Sequence, residues 1–136
     1  MLINPYLTFN GNCEAAFAHY AEVFKTPVKM LMRFKEMPGE QKIPEGWENK
    51  IMHASIEMDG ARLMGSDRAD AHYQKPQGMV VSVNVATPEE AERIFGELAE
   101  GGEITMPIAE TFWAHRFGML TDAYGIPFMI NCEKHA

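Results

Sequence analysis

From its amino terminus the chain alternates apolar and polar residues over "INPYLTF", where Leu7 and Phe9 interleave with Tyr6 and Thr8 until "NGN" breaks the run. That period of two predicts a strand. In "NCEAAFAHYAEVFK" the period lengthens: Ala16, Phe17, Tyr20, Val23 and Phe24 recur at helical spacing, Asn12 is placed to cap the first turn, and Pro27 marks the stop. "VKMLMRFK" sets Val28, Met30, Met32 and Phe34 against Lys29, Leu31, Arg33 and Lys35, a strand with one wetter face. Residues 36–50, "EMPGEQKIPEGWENK", read as a long polar loop, the kind that acts as a lid or lacks fixed structure. Two strands follow, "KIMHASIEM" and "ARLMGSD", joined by the hairpin signal "DG".

After the aperiodic, polar "DRADAHYQKPQGM" the order repeats. "VVSVNVAT" alternates Val81, Val83 and Val85 with Ser82 and Asn84. "TPEEAERIFGELAEGG" carries a full set of helix signals: Thr87 and Glu90 form a capping-box pair, Pro88 suits the first helical position, and Gly101 suits the carboxyl cap. Ala91, Ile94, Phe95 and Leu98 make its apolar stripe. "EITMPIAE", "HRFGMLTD" and "IPFMINC" then predict three strands, the last two joined through "DAYG". The class is α+β, with two βαβββ modules at residues 1–67 and 79–136 and a linker at 68–78, making one compact domain overall.

Composition narrows the partners. A net charge of -7 without a lysine or arginine cluster argues against nucleic acid and against an anionic membrane surface, both of which need a basic footprint. No apolar run reaches the roughly 18 residues of a membrane span, and "MLINPYLTF" lacks the features of a signal peptide, so the expected location is the cytoplasm. Cys13 and Cys132 are too few for a disulfide framework and read as reduced thiols. Cys13, near the start of the first helix, is either an activated thiol or a small buried residue.

Three stretches carry a family likeness: "PYLTFNGNCEAAFAHYAEVF" at 5–24, "MHASIEMDGARLMGSD" at 52–67, and "FWAHRFGMLTDAYGIPFMIN" at 112–131. Through them the chain resembles the vicinal oxygen chelate superfamily of glyoxalase, bleomycin-resistance and extradiol dioxygenase proteins, and within it the PhnB-like, 3-demethylubiquinone methyltransferase-like branch. The resemblance implies curled mixed sheets around a cleft shared by the two modules, and a homodimer. Methyl transfer is not adopted, because the sequence offers neither a glycine-rich strand-to-helix turn nor the parallel doubly wound pattern for a nucleotide-like cofactor.

Metal-using members of that superfamily project His and Glu from the first and last strands of each module. Alternation turns Leu7 and Phe9 to the helix and leaves Asn4, Tyr6 and Thr8, then Met64 and Ser66, Val80, Ser82 and Asn84, and Met129 and Asn131 for the cleft. The ligand positions thus read Asn4, Met64, Val80 and Met129, a set without imidazole, thiolate or carboxylate, so no metal and no other cofactor is expected.

His53, Ser55 and Glu57 share the other face of their strand from Met52, Ala54, Ile56 and Met58. His53 is the candidate catalytic residue, either a structural hydrogen-bonding group or a general base with Glu57 as its orienter. Ser66 and Asp67 end a strand at the rim of the implied cleft, as ligand contacts or simply as a turn. Trp113 approaches the next strand, along which Phe117 and Met119 alternate with Arg116, Gly118 and Leu120; Trp113 can overhang the cleft, and Arg116 can pair with an acidic group on protein or ligand. Tyr6 completes the ligand-binding set. His19, His72 and His135 are expected at the surface, and the eleven methionines to fill gaps or line an adaptable apolar cleft. The expected function is binding of a small apolar or aromatic molecule in the inter-module cleft without a catalytic metal. The alternative is a metal-dependent lyase, isomerase or dioxygenase of the glyoxalase type.

Overall fold

The computed structural model describes residues 1–39, 42–68 and 70–134. The chain divides into two compact units, Met1–Gln74 and Lys75–Ala136. In the first, β1 (Tyr6–Phe9), α1 (Cys13–Val23), β2 (Val28–Arg33), β3 (Ile51–Met58) and β4 (Ala61–Asp67) form a mixed sheet in the order β1-β4-β3-β2. In the second, β5 (Val81–Asn84), α2 (Pro88–Ala99), β6 (Glu103–Ala109), β7 (Ala114–Thr121) and β8 (Pro127–Glu133) repeat it as β5-β8-β7-β6. Each sheet has one parallel pair, β1 with β4 and β5 with β8, and two antiparallel pairs. These are the two expected βαβββ modules.

Each helix covers one face of its own sheet. Leu7, Phe9, Ala54, Ile56 and Leu63 are buried together with Ala16, Phe17, Tyr20 and Val23 of α1. Phe9 meets Phe17 edge to face at 6.0 Å. A Cβ on Gly65 would come within 2.8 Å of Phe9 and 2.9 Å of Phe17, so this position lets the helix lie close to β4. In the second unit Ala91, Ile94, Phe95 and Leu98 of α2 are buried with Leu120, Phe128, Ile130 and Cys132. Such burial, at roughly 25 cal/mol per Å² of apolar surface, is the main source of stability.

The local signals are realised with instructive exceptions. The "DG" turn holds Asp59 at φ 49° and Gly60 at φ 80°, the paired positive values a two-residue hairpin needs. Thr87 caps α2, accepting the Glu90 amide at 3.2 Å, and Gly101 takes φ 72° after the helix. Glu90, however, pairs with Arg93. Asn12 stands at the amino cap of α1 without a side-chain capping bond. Nor does Pro27 end that helix: Lys25 turns left-handed at φ 53° and the Thr26 amide donates to the Ala21 carbonyl at 3.0 Å, closing it after Val23.

The loop at 36–50 has structure in its described parts. Phe34–Glu36 is a short 3-10 turn, the Phe34 and Lys35 amides donate to Lys50 and Glu48, and Trp47 meets Phe34 edge to face at 6.3 Å. Among the described residues no helix is long and apolar enough to cross a membrane.

Candidate functional site

With α1 on one face of the first sheet, register assigns the other. Tyr6 lies beside Met64 and Thr8 beside Ser66, while Ser55 is opposite both Met64 and Met30, and His53 is opposite Met32. This helix-free face is therefore a band of Met side chains with hydroxyls and one imidazole among them. The face expected to hold Tyr6, Met64, Ser66, His53, Ser55 and Glu57 is the one that carries them.

Two of the sequence candidates come into contact. The Tyr6 phenol oxygen lies 3.0 Å from His53 Nδ1, and the two rings stack at 5.6 Å with 29° between their planes. They sit on β1 and β3, two strand spacings or roughly 10 Å apart across β4, a distance only side chains of this length can close. When the phenol donates, the imidazole proton resides on Nε2, which is the nitrogen left for a ligand. Tyr6 itself is 49% exposed, so the pair can be reached from solvent.

Glu57 is not the orienter of His53. Its carboxylate accepts from Lys29 at 2.7 Å and from Arg62 Nε at 2.8 Å, which hold its pKa below the usual carboxylate range. The residues are four apart along β3, and the cationic partners take up Glu57. A pocket of about 300 Å³ opens at the β3–β4 turn beside it, bounded by Leu2, Asn4, Met58 and Arg62.

Ser66 and Asp67, adjacent in sequence, point to opposite faces. Ser66 is half-buried on the helix-free side. Asp67, 3% exposed, faces α1, where Oδ1 accepts the Cys13 amide at 3.0 Å and Oδ2 the Ile51 amide at 2.9 Å. Its oxygens are engaged by the protein's own backbone, and "GSD" is the end of β4 rather than a turn. Cys13 lies in the same buried corner. Burial, then the Asp67 and Glu14 charges, push its thiol pKa up, the reverse of activation.

On the second unit, Arg116 shares the α2 face with Gly118 and Leu120, and its Nε donates to Glu92 of α2 at 2.9 Å. Trp113 precedes β7, is 42% exposed, and meets Phe112 at 4.8 Å and Phe117 at 5.3 Å, both edge to face. Phe117 and Met119 stand on the helix-free face with Met129 and Asn131 of β8. Trp113 thus joins an aromatic cluster that Arg116 does not share. His19 is half-buried on α1, His72 is exposed, and His135 lies outside the described residues.

The residues do not fit the metal of the metal-using relatives. Met64 and Met129 occupy the helix-free faces where ligands would stand, with Asn4 and Val80 ahead of β1 and β5. A thioether and an amide are poor ligands for Zn²⁺ or Fe²⁺. Among the described residues no group of three His, Cys, Asp or Glu converges to hold a metal ion.

Comparison with known proteins agrees with this architecture. The family model described as 3-demethylubiquinone-9 3-methyltransferase matches residues 2–131. Protein PA1353 from Pseudomonas aeruginosa is 42% identical, with a TM-score of 0.90 over 99% of both chains. Protein YjdN of Escherichia coli K12 is 35% identical over 98% of this chain and 97% of its own length. A PhnB protein from Bacillus cereus is 25% identical with a TM-score of 0.78, covering 97% of this chain and 99% of that one. The fold extends to a glyoxylase/bleomycin resistance protein/dioxygenase domain from Frankia, at 13% identity and a TM-score of 0.68 over 98% of each chain.

Proposed function

The chain belongs to the 3-demethylubiquinone-9 3-methyltransferase family, as a PhnB-like protein with the glyoxalase/bleomycin-resistance fold, and from that membership we propose that it binds a small apolar or aromatic molecule on the helix-free faces of its sheets, without a catalytic metal. The observation that carries this reading is the Tyr6–His53 pair, a polar anchor set in a band of methionines. An adaptable thioether surface with a few fixed polar groups is what small-molecule recognition requires. The donor set at the ligand positions supports a metal-free site. Methyl transfer, which the family description names, finds no support in the topology: each module has one parallel strand pair and no glycine-rich turn for a nucleotide-like cofactor.

A thermal-shift screen of small aromatic and aliphatic molecules, run with and without chelator, tests the reading. Saturable stabilisation that survives chelator and is lost in Tyr6→Phe or His53→Ala is the expected result. One equivalent of tightly held transition metal per chain, or a screen in which nothing saturates, overturns it. The same reading carries a homodimer, which sedimentation velocity checks directly.

A further inference from the structure

The helix-free face of the second sheet holds a polar group that its own fold leaves incomplete. Asn131 on β8 is flanked by its register partners Asn84 on β5 and Phe117 on β7. Its Nδ2 donates to Asn84 Oδ1 at 3.2 Å, and Asn84 Nδ2 donates in turn to Ser82 Oγ at 3.3 Å. That relay satisfies one end of the Asn131 amide. The other end, Oδ1, is buried and accepts no hydrogen bond, although Asn131 as a whole is only 8% exposed. A buried acceptor without a donor is costly, and folded proteins rarely leave one without a reason.

Beside this oxygen stands the cluster that the relay does not use. Phe117, directly opposite Asn131, is in edge contact with Trp113, whose ring is partly open to solvent, and Trp113 with the 90% exposed Phe112. Met119 and Met129 face each other on the same side and supply a deformable floor. Aromatic rings with an open face beside one unpaired acceptor define a ligand by its chemistry: a flat ring to lie against Trp113 and Phe117, and an N–H or O–H at the ring edge for the amide oxygen.

We propose that Asn131 Oδ1, Trp113 and Phe117 form a binding subsite for planar aromatic molecules that carry a hydrogen-bond donor at the ring edge. This rests on the small-molecule reading above and names the ligand class at the second sheet. The ring lies against Trp113 and half-buried Phe117, and its edge donor completes the relay that ends at Asn131. A site built around an unpaired polar atom rejects the isostere lacking the matching group far more strongly than an apolar site does.

Indole and benzofuran, near-isosteres that differ in one N–H donor, supply the test. Both are titrated into the whole protein and followed by the side-chain amide signals of Asn131 and the indole N–H signal of Trp113 in ¹H–¹⁵N spectra. The expected result is that indole binds at least tenfold more tightly than benzofuran, that both move the Trp113 signal, and that at saturation indole moves the Asn131 amide clearly further than benzofuran does. In Asn131→Leu the tenfold preference disappears while benzofuran affinity stays, and in Trp113→Ala both ligands weaken. Equal affinities, a preference that survives Asn131→Leu, or no binding of either ligand overturns the subsite. Wild-type amide shifts decide the matter if Asn131→Leu fails to fold. If neither ring binds but other molecules in the thermal-shift screen saturate through Tyr6 and His53, the subsite falls and the broader reading stands; a screen in which nothing saturates removes both.

Discussion

Asp67 at the end of β4 caps the helix that begins at Cys13: its Oδ1 accepts the Cys13 amide at 3.0 Å across 54 residues of sequence. Its other oxygen takes the amide of Ile51 at the start of β3. One carboxylate therefore ties a helix start to two strands, and it does so in a buried corner where neither amide has water to fall back on. Asp67→Ala should cost about 3 kcal/mol, the combined effect of two charge-assisted bonds and the orphaned amides they leave. Asp67→Asn, which keeps one acceptor, should cost less. Urea unfolding of the three proteins measures both differences, and equal midpoints would show that the corner is satisfied some other way.

The same corner makes Cys13 inert. Both thiols are buried, Cys13 with no exposed surface and Cys132 at 1%. Burial and the neighbouring Asp67 and Glu14 charges raise the Cys13 pKa, so the folded protein holds the neutral thiol where the unfolded chain would ionise near its usual value of about 8.5. A raised folded pKa contributes stability that is complete below the unfolded pKa and is lost as pH rises above it. A thiol reagent at pH 7 should label neither cysteine in the native protein and both in denaturant, and unfolding midpoints should fall as pH passes 9. Rapid native labelling of Cys13 would contradict the burial.

Alternation along β3 and β7 was legible in the sequence because those strands have one helix-covered, apolar face and one helix-free, more polar face, and the period of two survives that asymmetry. It placed His53 with Ser55 and Glu57, and Phe117 with Met119. The same rule set Arg116 beside Gly118 and Leu120, which is the α2 face, but parity gives a face and not a partner, and only the packing of α2 brings Glu92 to a side chain expected to meet a ligand. Asp67 was harder. Adjacent residues on a strand point opposite ways, so Ser66 and Asp67 cannot share a face, and nothing local announces that a carboxylate will serve an amide 54 residues back. Nor could charge counting tell that Glu57 would turn to Lys29 and Arg62 rather than to His53, since both cations come from neighbouring strands whose register only pairing reveals.

Close helix packing gives a sharper test at two glycines. A Cβ on Gly118 would sit 2.7 Å from the Phe95 ring of α2 and 2.9 Å from the Ile108 Cα on β6, and the backbone atom cannot swing away. At Gly65 it would meet Phe9, Phe17 and, at 3.0 Å, the Leu7 carbonyl. Each Gly→Ala change should destabilise by about 1–3 kcal/mol through overpacking, despite alanine's smaller unfolded-state entropy. Gly96, on α2 with nothing within 4 Å of its added Cβ, is the control, and Gly96→Ala should stabilise by up to about 1 kcal/mol. Thermal unfolding of the three variants compares them; a neutral Gly118→Ala would mean that α2 stands farther from β7.

Tyr6→Phe separates the stack between Tyr6 and His53 from the hydrogen bond. The substitution keeps the ring that lies 5.6 Å from the imidazole and deletes the oxygen 3.0 Å from Nδ1. Because Tyr6 is half exposed, the loss in global stability should stay within about 1 kcal/mol, water replacing the phenol at Nδ1. The tautomer should respond more strongly. With the phenol donating, neutral His53 carries its proton on Nε2, and without it water solvates both nitrogens and the two tautomers mix. Long-range ¹H–¹⁵N spectra of the neutral imidazole read this directly: one dominant Nε2–H pattern in the parent protein and a blend in Tyr6→Phe. A blend already present in the parent would show that the pair does not hold in solution, and the polar anchor on which the binding reading rests would be gone.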